Sequence, residues 1–227
     1  VLLAALLLRA GTIVPADELA ELVWDGKPPA GARATLPTYV LRLRRVLGPA
    51  GERIRYRPPG YLIEVRPGEL DLSEFAAGHQ AGRAAAGAGD WARASEHLRD
   101  ALAIWRGEPL VDIPCEALSR DHAGALAEQR LQAEELRIEA ELRLGRHQGV
   151  IATAERLAGA HPLRERLVGQ LMLALYLDGR QADALAAYRR LRDTLVQELG
   201  VDPGAELQRL HQRILAADPG LAPGPAD

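Results

Sequence analysis

Residues 32–48, ARATLPTYVLRLRRVLG, carry four arginines, two threonines, one tyrosine and no acidic residue. On a helical wheel at about 100° per residue, Leu36, Val40, Leu43 and Leu47 fall within about 60° of one another, a stripe that seats the helix on a core. Thr35, Thr38, Arg42 and Arg45 gather on the opposite side with Tyr39 at their edge, and Arg33 and Arg44 lie on the other flank. A surface helix ordinarily mixes acids with bases on its wet face, where i,i+4 pairs support it. This wet face offers only guanidinium donors, hydroxyls and an aromatic, the groups that bond guanine edges and phosphate oxygens. Pro37 fits cheaply only in a first turn, where backbone N–H groups lack intrahelical partners. The helix therefore starts near Ala34, or starts earlier and kinks at Pro37.

The flanks extend the reading. Upstream lies VPADELAELVWDGKPPAG, residues 14–31. Pro15, Asp17 and Glu18 mark a helix start, with acids where the helix dipole favours them. Leu19, Leu22 and Val23 form its apolar stripe, Trp24 closes the core over it, and residues 25–31 make a turn. Two helices joined by a short turn, the second basic, predict a helix-turn-helix. Downstream, Arg53, Arg55 and Arg57 alternate with Ile54 and Tyr56, and Tyr61, Ile63 and Val65 resume the alternation after Pro58-Pro59-Gly60. This predicts a hairpin, turned by Pro59 and Gly60 at the central positions of a type II turn. An arginine-lined hairpin behind such a helix is a wing that reaches a phosphate backbone or a narrow minor groove.

The chain has 227 residues, enough for one or two domains, and its Ala, Leu and Arg content is helical in character. The formal charge of −3 conceals a division. Residues 1–66 hold ten bases against six acids, and residues 67–227 hold 18 against 25. Within 27–66 nine bases face only Glu52 and Glu64, a concentration that attracts polyanions. Cys115 is the sole cysteine, so no internal disulfide forms, as befits a reducing cytosol. The six histidines show no metal-ligand spacing, and no phosphate-binding glycine loop or nucleophile motif occurs. These features point away from an enzyme and imply no cofactor and no metal. Met172 is the only methionine, so the chain is read as lacking residues ahead of Val1. The opening VLLAALLLRAG has neither a basic leader nor a cleavage site and is too short to span a membrane; it reads as a buried helix.

From Asp71 to Asp218 the pattern predicts helices near 72–87, 91–106, 116–144, 147–160, 163–178, 181–198 and 204–216. Gly145-Arg146 and Gly179-Arg180 stand 34 residues apart, the tetratricopeptide period. At that offset Ile151 meets Leu185, Ala154 meets Tyr188 and Leu157 meets Leu191. Gly89-Asp90-Trp91 opens an earlier helix in a similar way, though out of period. Such helix pairs stack into an array with a concave docking face. Trp91 and Trp105, about four turns apart on one predicted helix, are expected to share a core face.

ELVWDGKPPAGARATLPTYVLRLRRVLG followed by RYRPPGYLIEV resembles the OmpR-type winged helix of the streptomyces antibiotic regulatory protein (SARP) family. DALAIWRGEPLVDIP and the long segment from His161 to Leu215 resemble the bacterial transcriptional activation domain that follows it there. The resemblance covers the chain to about Asp218. It implies a small β-sheet ahead of the first helix, which this chain lacks, and a recognition-helix start nearer Gly31. The expected fold is mainly α: a winged helix-turn-helix over 1–66 with a hairpin wing, an all-α tetratricopeptide-like domain over 67–218, and a flexible tail over 219–227.

The resemblance further implies a cytosolic, non-membrane transcriptional activator, homodimeric on direct repeats of double-stranded promoter DNA near the −35 element. It would recruit RNA polymerase through the sigma factor and the α subunit's C-terminal domain, at antibiotic or secondary-metabolite genes. Wheel and resemblance together assign Thr35, Thr38, Tyr39 and Arg42 to bases. Arg33, Arg44, Arg45, Arg55 and Arg57 are assigned to phosphates or the wing groove. The alternative is a helical-repeat adaptor or ligand sensor whose winged domain pairs with protein, as the leading part of a larger regulator with an ATPase module; the arginine-only wet face argues against it.

Overall fold

The computed structural model describes residues 1–221, which form two compact units. The first comprises Val1–Ala77 and Ala101–Leu131; the second comprises Gly78–Asp100 and the chain from Gln132 onward.

The first unit opens with α1 (Leu2–Leu8), β1 (Val14–Pro15) and α2 (Ala16–Val23). There follow α3 (Ala32–Leu47), a 3-10 turn over Gly48–Arg53, β2 (Ile54–Arg57) and β3 (Gly60–Ile63). Leu6, Leu19, Leu36 and Ile54 are fully buried in one cluster with Val40, Tyr61 and Ile63, and Leu43 and Leu47 pack partly buried against it. Each fully buried aliphatic side chain contributes about 1.5–3 kcal/mol. The stripe read from the wheel is thus the one that seats α3. Pro15 caps α2, with Asp17 and Glu18 in the first turn. α3 begins at Ala32 with Gly31 as its cap, so Pro37 stands inside the helix rather than in its first turn. Position 37 is solvent-exposed, where water can satisfy the carbonyl that a missing N–H leaves free.

The sheet is antiparallel with strand order β1-β3-β2. The turn expected at the hairpin tip differs. Its two residues are Pro58 and Pro59, joined by a cis peptide bond, and Gly60 already belongs to β3, paired with Arg57 and Pro15. Gly60 is required for another reason: a Cβ there would overlap the Val14 carbonyl of β1. The expected alternation of β2 also stops short, because only Ile54 is buried and Tyr56 is 56% exposed, resting edge-on against Tyr61.

Cys115 and Leu118 are buried in the same cluster, with the Cys115 thiol 3.4 Å from the Leu22 carbonyl. They belong to the stretch that carries the three-residue helix α6 (Glu116–Leu118), which follows α4 (Asp71–Gly87) and α5 (Trp91–Ala103). α6 leads through a π-helical turn, Ser119–Ala123, into α7 (Gly124–Arg143). α5 stops at Ala103, so Trp91 and Trp105 do not share a helix face. Trp105 packs edge-on against Phe75 in the first unit, and Trp91 lies under Arg143 in the second.

The second unit continues with α8 (Ile151–Ala160), α9 (Glu165–Leu177), α10 (Gln181–Leu199) and α11 (Ala205–Leu215). Gly89, Gly145 and Gly179 each adopt a left-handed φ near +75° and each ends a helix. In all three the following amide bonds back to the carbonyl five residues earlier: Asp90 to Ala85, Arg146 to Glu141, Arg180 to Leu175. This is the Schellman closure, which satisfies the last carbonyls of a helix. Two of the three pairs at the 34-residue offset have matching environments, Ala154 with Tyr188 and Leu157 with Leu191, all buried; in the third, Ile151 is buried and Leu185 is half-buried. Of the tail expected from 219, Pro219–Leu221 form a 3-10 turn, and 222–227 lie outside the described residues. No helix among the described residues is long and apolar enough to cross a membrane.

Candidate nucleic-acid interface

α3 turns its buried stripe inward and leaves Arg33, Thr35, Thr38, Tyr39, Arg42 and Arg45 exposed. Thr35, Thr38, Tyr39, Arg42 and Arg45 share one outer face with no carboxylate of its own, and Arg33 stands on the flank. Their surroundings differ, and so does what each is able to do.

Tyr39 sits edge-on to Trp24 of the preceding turn, ring centroids 5.4 Å apart, and the Arg42 guanidinium lies 6.0 Å from the Tyr39 ring. The half-buried indole thus props the tyrosine, and the tyrosine face favours one placement of the arginine fork. The Thr35 hydroxyl donates to the Gly31 carbonyl at 2.9 Å, so it presents only lone pairs and its methyl outward. Thr38 is exposed one turn further along.

The arginines divide into three groups. Arg45 and Arg57 are exposed and form no ion pair with a described residue. Arg33 lies 3.6 Å from Asp17, and Arg55 lies 3.1 Å from Glu64, both at least half exposed. Exposed pairs of this kind are worth about 0–1 kcal/mol and yield readily to a stronger anion. Arg44 is different. Its Nε and Nη2 donate to the Ile54 carbonyl at 3.1 and 2.6 Å, tying α3 to the start of the hairpin. Gly51 makes room for this, since a Cβ there would overlap the Arg44 backbone. Burial pushes the neighbouring Tyr61 hydroxyl above its ordinary range, against the opposing pull of the Arg44 charge.

Arg53, read from the sequence as part of the arginine-lined hairpin face, pairs instead with Glu69. The backbone N–H of Arg66 and the Arg53 guanidinium hold the Glu69 carboxyl below its usual range. Two apolar residues on α3 carried no assignment from the sequence. Leu41 is 46% and Val46 is 83% exposed, and their wheel angles, well off the Leu36–Val40 stripe, hold the signal.

The bacterial transcriptional activator domain matches residues 70–215, and the domain described as "Transcriptional regulatory protein, C terminal" matches residues 1–63. The regulatory protein DnrI of Streptomyces peucetius is 41% identical over 225 residues, 95% of this chain and 83% of its own length. The regulatory protein AfsR of Streptomyces coelicolor is 45% identical over 97% of this chain. The chain belongs to the SARP family of transcriptional regulators.

Members of the SARP family differ in length. The chain spans 22% of that AfsR and 57% of the transcriptional regulatory protein EmbR of Mycobacterium tuberculosis, to which it is 42% identical. A solved structure of EmbR, in complex with a low affinity phosphopeptide, superimposes with a TM-score of 0.88 at 41% identity, covering 96% of this chain and 59% of that one. The winged helix followed by a helical repeat is therefore the SARP arrangement, and α2, α3 and the β2–β3 hairpin are its helix-turn-helix and wing.

Proposed function

We propose that this protein is a sequence-specific DNA-binding transcriptional activator of the cytoplasm, working through residues 1–66 on DNA and residues 67–218 on the transcription machinery. α3 enters the major groove. Thr35, Thr38, Tyr39 and Arg42 face base edges, with Arg42 poised for the O6/N7 edge of a guanine. Arg33, Arg45, Arg55 and Arg57 hold phosphates or the adjacent groove, and Arg44 supports them by fixing the hairpin to α3. Two protomers sit on direct repeats near a promoter −35 element and recruit RNA polymerase through its sigma factor and the α subunit's C-terminal domain. The genes served belong to an antibiotic or secondary-metabolite cluster.

The observation that carries this reading is the acid-free outer face of α3, exposed along its length on a buried leucine–valine stripe, in a chain of a transcriptional regulator family. Genome-wide mapping of bound sites, followed by transcription in vitro from the strongest one, tests it. A repeated motif upstream of a −35 element and increased transcript are expected. Binding without increased transcript would remove the activator role, and absence of a motif would remove sequence-specific reading.

A further inference from the structure

Leu41 is 46% exposed in the middle of α3, and its place on the helix sets it apart. At about 100° per residue, Ala34, Thr38, Leu41 and Arg45 fall within about 60° of one another, on a line about 160° from the buried stripe of Leu36, Val40, Leu43 and Leu47. All four are exposed. This line is the part of α3 furthest from the core that seats it, and it carries one large aliphatic side chain between a hydroxyl and a guanidinium. Val46, the other exposed aliphatic of α3, stands in the last turn and about 110° off the line.

A single exposed leucine is ordinary on a protein surface. What distinguishes Leu41 is what meets it once α3 lies in a major groove. Phosphates at the groove walls take the guanidinium of Arg45 and offer nothing to an isobutyl group. Base edges on the groove floor present donors and acceptors, and the one aliphatic group among them is the C5-methyl of thymine. A leucine pressed against a donor or an acceptor strips its water and returns no hydrogen bond. The side chain that accommodates thymine therefore also rejects the other bases at the same position.

We propose that Leu41 is a specificity-determining residue that recognises thymine, its side chain resting on the C5-methyl in each bound repeat. The proposal rests on the placement of α3 given under the proposed function and adds a second base to the guanine assigned to Arg42. Leu41 and Arg42 are consecutive, about 3.8 Å apart at Cα, close to one base-pair step of about 3.4 Å. The thymine thus lies within about two base pairs of that guanine.

Deoxyuridine lacks the methyl and keeps every hydrogen-bonding group of thymine, so it tests the proposal directly. On a duplex selected by the protein from a random library, each thymine is replaced in turn. Affinity is measured by fluorescence anisotropy for the wild type and for Leu41→Ala. Replacing one thymine of a repeat should weaken wild-type binding about four-fold, the effect of withdrawing one buried methyl group. Leu41→Ala should bind the unmodified duplex at least that much more weakly and be indifferent to deoxyuridine at the same position. It should keep its sensitivity to methylation of the neighbouring guanine, which a misfolded α3 would lose. The proposal is overturned if no thymine methyl contributes, or if Leu41→Ala binds like the wild type. It is overturned too if the deoxyuridine effect persists in Leu41→Ala, since another residue would then read the methyl. Guanine sensitivity without dependence on a thymine methyl would sink this proposal alone. A library in which no sequence is enriched would sink the placement of α3 and this proposal together.

Discussion

Arg44→Ala and Arg45→Ala remove the same charge one residue apart, yet they are expected to fail in different ways. Arg44 makes two charge-assisted hydrogen bonds to one carbonyl, at 2.6 and 3.1 Å, from a partly buried position. A hydrogen bond to a charged group contributes about 1.5–3 kcal/mol, and two donors sharing one oxygen contribute less than twice that. A loss of about 2–3 kcal/mol follows, which in a chain of this size lowers the melting midpoint by about 4–12 °C. Arg45 is exposed and forms no ion pair with a described residue, so its removal should leave the midpoint within about 2 °C. On DNA the order reverses. Loss of one phosphate contact flattens the dependence of log affinity on log salt by about 0.9, and this is expected for Arg45→Ala. Thermal melts and salt titrations of anisotropy on a labelled random duplex read both quantities. The reasoning is refuted if Arg44→Ala melts with the wild type while its salt slope flattens by about one, because Arg44 would then be a phosphate ligand and not the brace.

Other outcomes follow from the same structure. Gly60→Ala drives a Cβ into the Val14 carbonyl, so it should separate β1 from β3 and cost about 1–3 kcal/mol or more, measured by chemical denaturation. Gly179→Ala meets no atom within 4 Å but imposes φ +79° on a residue with a Cβ; a conformational loss of about 1–2 kcal/mol, with no loss of DNA binding, should result. Burial holds the imidazoles of His79 and His211 below their ordinary pKa, aided at His79 by the Arg83 charge. The unfolded chain therefore takes up protons first as pH falls. Stability present above about pH 6.5 is lost below it, and His211→Gln should reduce the difference between melts at about pH 7.5 and 5.5.

What the sequence made legible was whatever has a period. The Leu36–Val40–Leu43–Leu47 stripe places α3 on its core, the turn residues at 25–31 precede it, and the spacing of Gly145 and Gly179 marks the repeat. Features that depend on distant backbone were not legible. β1 is two residues long and has no alternation to detect. The need for glycine at position 60 comes from Val14, 46 residues earlier, and not from the local turn. The wheel gives Arg44 and Arg45 neighbouring angles but says nothing of the Ile54 carbonyl that draws one of them inward. Likewise, Trp105 carries helix-compatible spacing, yet α5 ends two residues before it. Cys115 lies far beyond the winged segment in sequence and still completes its core.

Methylation interference on a duplex selected by the protein from a random library tests the central claim most directly. Methylation at N7 of guanine projects into the major groove, where α3 is placed with Arg42 against a guanine edge. The account predicts that at least one guanine in each repeat, once methylated, blocks binding, and that Arg42→Ala loses both this sensitivity and the preference for guanine there, at about 1–3 kcal/mol. Binding indifferent to guanine methylation, or an unchanged interference pattern in Arg42→Ala, would contradict the claim that this face of α3 reads the sequence.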